Sequence, residues 1–293
     1  MERLDFTPHH FPFSTVATKS ANSTNDVNNV DISDVFYRNT LICSIGLPLV
    51  FLLSLALLVV QRKAPVVALQ LPPKPPSKWL LAFRITILAL FITTLIKQIV
   101  DSPISKYVFY TIWNFTTQIA FLVFSILHSL VHLCSSKSIP SNHDPNHDGI
   151  YRRFLNVLFD VTFATAFVVV LVFWGIVYKP ATTHLDWTTA IVHLANLVLY
   201  VIEFALNDHV TQLTSLPFAI LWPTVYCSLT WVGYFTYLDG WWPYDAMDLA
   251  KPHAPFVWFG IILAHVIYFG LTLLLSHSKR RVYSKHEKPA GVP

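Results

Sequence analysis

Seven stretches of roughly twenty residues, at approximately 41–60, 79–99, 107–131, 154–177, 188–207, 215–237 and 255–276, are almost wholly apolar. A helix rises about 1.5 Å per residue, so each is long enough to cross a hydrocarbon core of roughly 30 Å. Composition points the same way. Charged residues make up 12% of the 293-residue chain, about half the ~25% of a soluble protein. Eight glycines beside 22 phenylalanines fit a helical membrane bundle better than a glycine-rich soluble α/β enzyme. The expected fold is therefore all-α: a polytopic transmembrane bundle of six core helices with one extra N-terminal span. Three regions follow: a polar tail over 1–40, the bundle over 41–278 and a basic tail over 279–293.

Orientation is read from the connecting segments. Arg62, Lys63, Lys74, Lys78, Lys137, Arg152, Arg153, Lys279, Arg280, Arg281, Lys285 and Lys288 fall on one side. Arg3, Lys19, Arg38, Lys106, Lys179 and Lys251 fall on the other. Cytoplasmic loops collect the excess of Lys and Arg. The expectation is a lumenal or extracellular N-terminus and a cytoplasmic C-terminus, in an endomembrane (the endoplasmic reticulum, for example) or the plasma membrane. The sequon Asn22-Ser23-Thr24 would then lie in the outward tail, where it can accept a glycan. A second sequon, Asn114-Phe115-Thr116, lies inside a span. Residues 1–40 begin with no apolar stretch, so no cleaved signal peptide is expected. Residues 70–78, "QLPPKPPSK", read as a stiff connector. The basic tail reads as a topology signal with some affinity for anionic lipid. Cys43, Cys134 and Cys227 sit in different segments and form no CxxC motif or disulfide framework; Cys134, at a membrane edge, is a palmitoylation candidate better read as unmodified.

Polar residues inside spans face the bundle interior and often mark function. The run "AIVHLANLVLYVIEF" (190–204) sets His193, Asn196 and Glu203 into an apolar stretch. His193, Asn196, Tyr200 and Glu203 fall at i, i+3, i+7 and i+10, one stripe of a helix. On the third span Thr111, Asn114 and Gln118 form a similar stripe. Counting from helix starts near Val108 and Thr188, Thr111 lies about 5 Å in and His193 about 8 Å in. A hydroxyl and an imidazole at similar depth satisfy the first requirement of a nucleophile and its general base. Structural readings compete: a membrane threonine often bonds the carbonyl four residues back, and His193 can join two helices.

Arg84, Asp160 and Glu203 each lie about a turn and a half from the opposite side. Opposite charges at equal depth predict a structural ion-pair cluster, since an unpaired charge there is costly. His128, His132, His143 and His147 form a looser group that can in principle ligate a metal. The HxxHH boxes of membrane desaturases are missing, however, and "NHDPNHDG" reads as a polar turn. No metal and no organic cofactor are expected. His265, near mid-membrane, reads as a packing residue.

Four segments, in order and spacing, resemble the androgen-induced protein family: "KYVFYTIWNFTTQ" (106–118), "FVVVLVFWG" (167–175), the His193-to-Glu203 stretch and "GWWPY" (240–244). That family includes the androgen-dependent regulators of tissue factor pathway inhibitor, with Rolling stone as a more distant relative. The likeness spans residues 79–276. It implies a small multi-span fold and threonine hydrolases acting on fatty acid esters of hydroxy fatty acids. The family's nucleophilic threonine falls on Thr111. Its base histidine, ten residues before a glutamate, falls on His193. Family members typically carry another histidine three residues before the base and a threonine just after it; here these are Ala190 and Leu194.

The function expected is an intramembrane lipid-ester hydrolase. Thr111 is the nucleophile, His193 the base, and Asn114, Asn196 and Gln118 are oxyanion or orienting groups. Membrane lipids and a long-chain ester are its partners, and no nucleic acid is involved. The alternative is a non-catalytic protein of adhesion, fusion or signalling, as Rolling stone implies. A seven-helix receptor is disfavoured because the third span ends "HSLVHLC" and the seventh reads "HVIYFG", without that class's triplet or Asn-Pro-x-x-Tyr. A transporter is disfavoured because no span shows paired Gly/Pro interruptions.

Overall fold

The computed structural model describes residues 32–61, 77–101, 105–135, 145–180 and 185–286. Among these residues there is no strand, and seven helices are long and apolar enough to cross a membrane. The helices are α1 (Ile32–Gln61), α2 (Lys78–Asp101), α3 (Tyr110–Ser135), α4 (Pro145–Val172), α5 (Trp187–Ala190), α6 (Asn196–Leu206), α7 (Leu216–Tyr234) and α8 (Ala254–His286). The fifth span is composite: α5 and α6 are joined by a π-helical turn, Ile191–Ala195, and α4 ends in a second, Phe173–Val177. The Asn22 sequon, residues 70–76 of the proline-rich connector and His143 lie outside the described residues. So do the side chains of His132, Cys134 and His147.

Two helices overrun their apolar segments, each because a polar side chain finds a partner past the hydrocarbon edge. α1 begins at Ile32, within the segment expected as tail. Asn39 is buried there, and its Nδ2 donates to the Leu249 and Lys251 carbonyls at 2.9 and 2.8 Å. α8 continues to His286, and its Lys279 ammonium closes the end of α6 by donating to the Phe204 carbonyl, Asn207 Oδ1 (3.0 Å) and the His209 carbonyl (3.0 Å). A cation at a helix C-terminus satisfies carbonyls that have no partner within the helix.

Lipid tails are as apolar as leucine, so burying leucine between membrane helices gains little; close packing and interhelical hydrogen bonds hold such bundles together. α4 is the hub. Ala164 and Ala166 are fully buried in it, which lets neighbouring helices approach, while Phe159 and Phe163 stack on Tyr200 and Phe204 of α6. α1 and α2 are peripheral and turn Leu49, Leu52, Val59, Ile96 and Val100 outward.

Clamps join both ends of the bundle. On the side where α1 begins (the N-side), Asp186 caps α5 by accepting from the Thr189 N–H at 2.7 Å and from the hydroxyls of Thr188 and Thr189. Gln98 of α2 donates to Thr188 Oγ1 at 2.7 Å. Burial works to raise the Asp186 pKa, but these hydrogen bonds outweigh it and take the carboxyl down to about 2. On the side where α8 ends (the C-side), Arg84 Nε and Nη2 donate to Glu203 Oε1 at 3.0 and 2.5 Å, and Arg84 Nη1 donates to Ser129 Oγ at 3.2 Å.

Candidate functional site

Thr111 and His193 line one cavity of about 400 Å³. Thr111 is the second residue of α3, in the turn whose N–H groups lack helical partners. Thr94, Thr117, Thr162 and Thr165 each donate to the carbonyl four residues back. Thr111 makes no such bond and lies beside Tyr244 on the cavity wall.

His193 enters from the π-helical turn of the fifth span. A π turn inserts one extra residue and widens the helix, and such turns gather at functional sites. The two π turns among the described residues meet here. The Phe173 ring stacks on the His193 ring, with centroids 3.5 Å apart and planes at 12°, and Trp174 Nε1 donates to the His193 carbonyl at 3.0 Å. The imidazole is thereby fixed in plane, half-buried, with one edge on the cavity.

The third wall comes from the α7–α8 connection. Asp239 and Gly240 both adopt left-handed backbone (φ 49° and 77°), turning the chain back over the bundle. Trp242 stacks on Tyr234 at 4.2 Å, and Trp258 Nε1 donates to the Met247 carbonyl at 2.9 Å, so the returning segment is anchored. Pro243, Tyr244, Ala246 and Met247 then close over the cavity. Tyr244 Oη accepts from the Tyr110 N–H at 3.1 Å. Burial raises the Tyr244 phenol above its ordinary value near 10, opposed by hydrogen bonds from Thr111 and Tyr110, so at neutral pH it keeps its proton.

The floor is a buried tyrosine–histidine pair. His265 Nδ1 lies 2.7 Å from the Ile261 carbonyl, which only accepts, so Nδ1 carries the proton and Nε2 accepts from Tyr110 Oη at 2.6 Å. His265 is thus a hydrogen-bond partner as well as a packing residue. Most of the remaining wall, including Val168, Val169, Val172, Ile176, Val257 and Ile261, is aliphatic, with Gln98, Phe109 and Tyr226 completing it.

Asn114, Asn196 and Gln118 do not line this cavity. All three are fully buried deeper along their helices. The inner charge set divides. Arg84 meets Glu203, but Asp160 Oδ1 faces His209 Nε2 at 2.6 Å, and its Oδ2 accepts from the Gln212 N–H at 3.3 Å. Sequence reading missed His209 because it lies in the short connection after α6, where helical spacing says nothing. His128 stacks on Tyr151, and among the described residues no three His, Cys, Asp or Glu side chains form a metal-binding group. Tyr244 and Phe173 were also missed as site residues. The Asp-Gly pair before "WWPY" is the one local signal that the connection folds back.

Seven helices long and apolar enough to cross a membrane define an integral multi-pass membrane protein, and all but α1 contribute to its mostly aliphatic cavity. The sequence pattern of the FAR-17a/AIG1-like proteins matches residues 79–280, and the chain belongs to that family. α1 lies outside the matched region. No protein of curated function and no solved structure matches the chain.

Proposed function

We propose that this protein is an intramembrane hydrolase of long-chain lipid esters, using Thr111 as nucleophile and His193 as general base. The observation that carries the reading is that both side chains open on one mostly aliphatic cavity, at the only two π-helical turns among the described residues. A threonine hydroxyl is too weak a nucleophile unaided, so the imidazole takes its proton as Oγ attacks the ester carbonyl. Tyr244, a neutral phenol beside Thr111, donates to the developing oxyanion in place of the more deeply buried Asn114 and Asn196. His193 then protonates the leaving alcohol, and water hydrolyses the acyl-threonine.

The cavity volume falls in the usual range for small-molecule sites, roughly 300–1,000 Å³. It fits an ester group with part of one chain; the rest of the lipid extends between helices into the bilayer. We assign the N-side to the lumen or cell exterior on the loop charges, which opens the site to that leaflet. The test uses purified protein in detergent with a fluorogenic lipid ester. Wild type turns over, while Thr111→Ala and His193→Ala lose activity, and equal turnover by all three rejects the reading.

A second reading has support in the Phe173–His193 stack, which by itself is good helix–helix packing. On it the protein is a non-catalytic member of its family, acting in adhesion, fusion or signalling. Labelling by a fluorophosphonate probe that Thr111→Ala abolishes decides against it.

A further inference from the structure

Tyr200 Oη of α6 donates to the Gln118 carbonyl of α3 at 3.1 Å, across a sequence separation of 82. The two helices belong to alternate spans and run parallel. The same separation relates Asn114 to Asn196, one turn back on each helix. Asn114 and Gln118, one turn apart on α3, and Asn196, one turn before Tyr200 on α6, therefore fall on the two helix faces that this bond joins, and all three have no exposure. Asn114 Nδ2 and Oδ1, Gln118 Nε2 and Oε1, and Asn196 Nδ2 have no hydrogen-bond partner among the described residues. Leaving a buried donor or acceptor unsatisfied costs about 1–3 kcal/mol each. Five such atoms in one place call for a ligand that both donates and accepts.

We propose that Asn114, Gln118 and Asn196 form a water-holding chamber inside the membrane span, and that this chamber supplies the water that hydrolyses the acyl-enzyme. Buried water makes about three hydrogen bonds to otherwise unsatisfied groups, and three carboxamides on facing helices offer that number. A cation fits less well: the Asn196 Oδ1 already accepts from the Leu197 N–H at 2.7 Å, and no carboxylate lies among the three. The supply role rests on the hydrolase reading; the hydration does not. In the supply step, the oxygen of a chamber water attacks the carbonyl carbon of the Thr111 ester as His193 takes one of its protons. The carbon–Oγ bond then breaks, Thr111 Oγ recovers the proton from His193, and the carboxylic acid leaves. The carboxamides are positioning residues that touch the water alone.

Two measurements on the full-length protein test the two halves. The first is a pulse of X-ray-generated hydroxyl radicals in ¹⁸O-water, read by peptide mass spectrometry. Tyr200 and Phe121, both buried and adjoining the chamber, should be labelled several-fold more than Trp258 and Phe269, which are equally buried elsewhere. Gln118→Met should remove that difference. Labelling of Tyr200 and Phe121 no greater than that of Trp258 and Phe269 means a dry interior and overturns the proposal. The second is burst kinetics with the fluorogenic ester. Gln118→Met should keep a first-turnover burst of fluorophore while steady-state turnover falls roughly 10–100-fold, with an acyl adduct accumulating on Thr111. Unchanged steady-state turnover, or equal loss of burst and turnover, overturns the supply role. Labelling at Tyr200 with no burst and no turnover in wild type rejects the hydrolase reading and the supply role, and leaves the hydrated chamber standing.

Discussion

Arg84→Met removes the only cation hydrogen-bonded to Glu203 among the described residues. The Glu203 carboxylate has no exposure, and its Oε1 holds both Arg84 contacts and a longer one from Asn207 Nδ2 at 3.3 Å. At an effective dielectric constant near 20, unit charges 4 Å apart attract by about 4 kcal/mol. Breaking a buried pair by removing one partner costs roughly 3–5 kcal/mol, because the remaining charge stays buried and uncompensated. Arg84→Met is therefore expected to lose about 3–5 kcal/mol. Glu203→Gln should lose less, about 1–3 kcal/mol, since the Arg84 side chain, 11% exposed, reaches the C-side surface. The double variant should recover to within about 1–2 kcal/mol of wild type, because pairs replaced whole by apolar or neutral groups are often nearly neutral. Unfolding by SDS titration in mixed micelles, followed by far-UV circular dichroism, gives all four corners of the cycle. Losses that add without a coupling of at least about 2 kcal/mol would refute the claim that the pair acts as a unit.

Four further outcomes follow from single contacts. Asp186→Ala should cost about 1 kcal/mol through the lost helix cap, checked by the same titration. Because the Asp186 pKa is held down at about 2, that contribution is full above pH 4 and fades as pH falls toward 2. Tyr244→Phe should lower kcat roughly 10- to 100-fold with little change in KM, since the phenol is assigned to the transition state; a change confined to KM would place it in substrate binding instead. Asn39→Leu should destabilise by about 1–3 kcal/mol by stranding two buried carbonyls, and Gly46→Leu should also destabilise, since any side chain there collides with the Phe259 ring. Thermal scans in micelles check both.

The seven spans were legible because lipid imposes one condition on the whole of a helix. Twenty apolar residues announce themselves whatever the tertiary structure. That Thr111 and His193 line one cavity was legible for a related reason: a polar side chain among apolar neighbours has few places to go, and equal depth on two spans narrows them further. What the sequence did not carry is how the stripes are aimed. Ideal helical spacing puts His193, Asn196, Tyr200 and Glu203 on one face, but the π turn at Ile191–Ala195 shifts His193 relative to the rest. His193 reaches the cavity while Asn196 stays in the interior. Nothing local in "IVHLA" marks a π turn; its partner ring, Phe173, lies in another span. Asp160 was grouped with Arg84 and Glu203 on depth alone, and depth cannot tell which neighbour a side chain turns toward. His209, in a connection only a few residues long, took that carboxylate.

The separation of 82 that relates α3 to α6 also joins the two polar sets that the sequence kept apart. Gln118–Tyr200, and with it the level of Asn196 against Asn114, depends on one register between two parallel helices, which the π turn offsets at His193. That register is not held at the cavity, where the walls are mostly aliphatic and interchangeable. It is held by the Tyr200–Gln118 bond and, through α2 and α8, at the two ends of the fifth span. Gln98, Thr188 and Asp186 fix its start, and Arg84, together with Lys279 beyond Asn207, fixes its finish. Sliding α6 by one helical turn, about 5.4 Å, would break every one of these contacts and bring Asn196 or Leu197 to the level now held by His193. The charged cluster on the C-side therefore has a structural part in any chemistry on the N-side: it sets which residue of the fifth span stands opposite the hydroxyl.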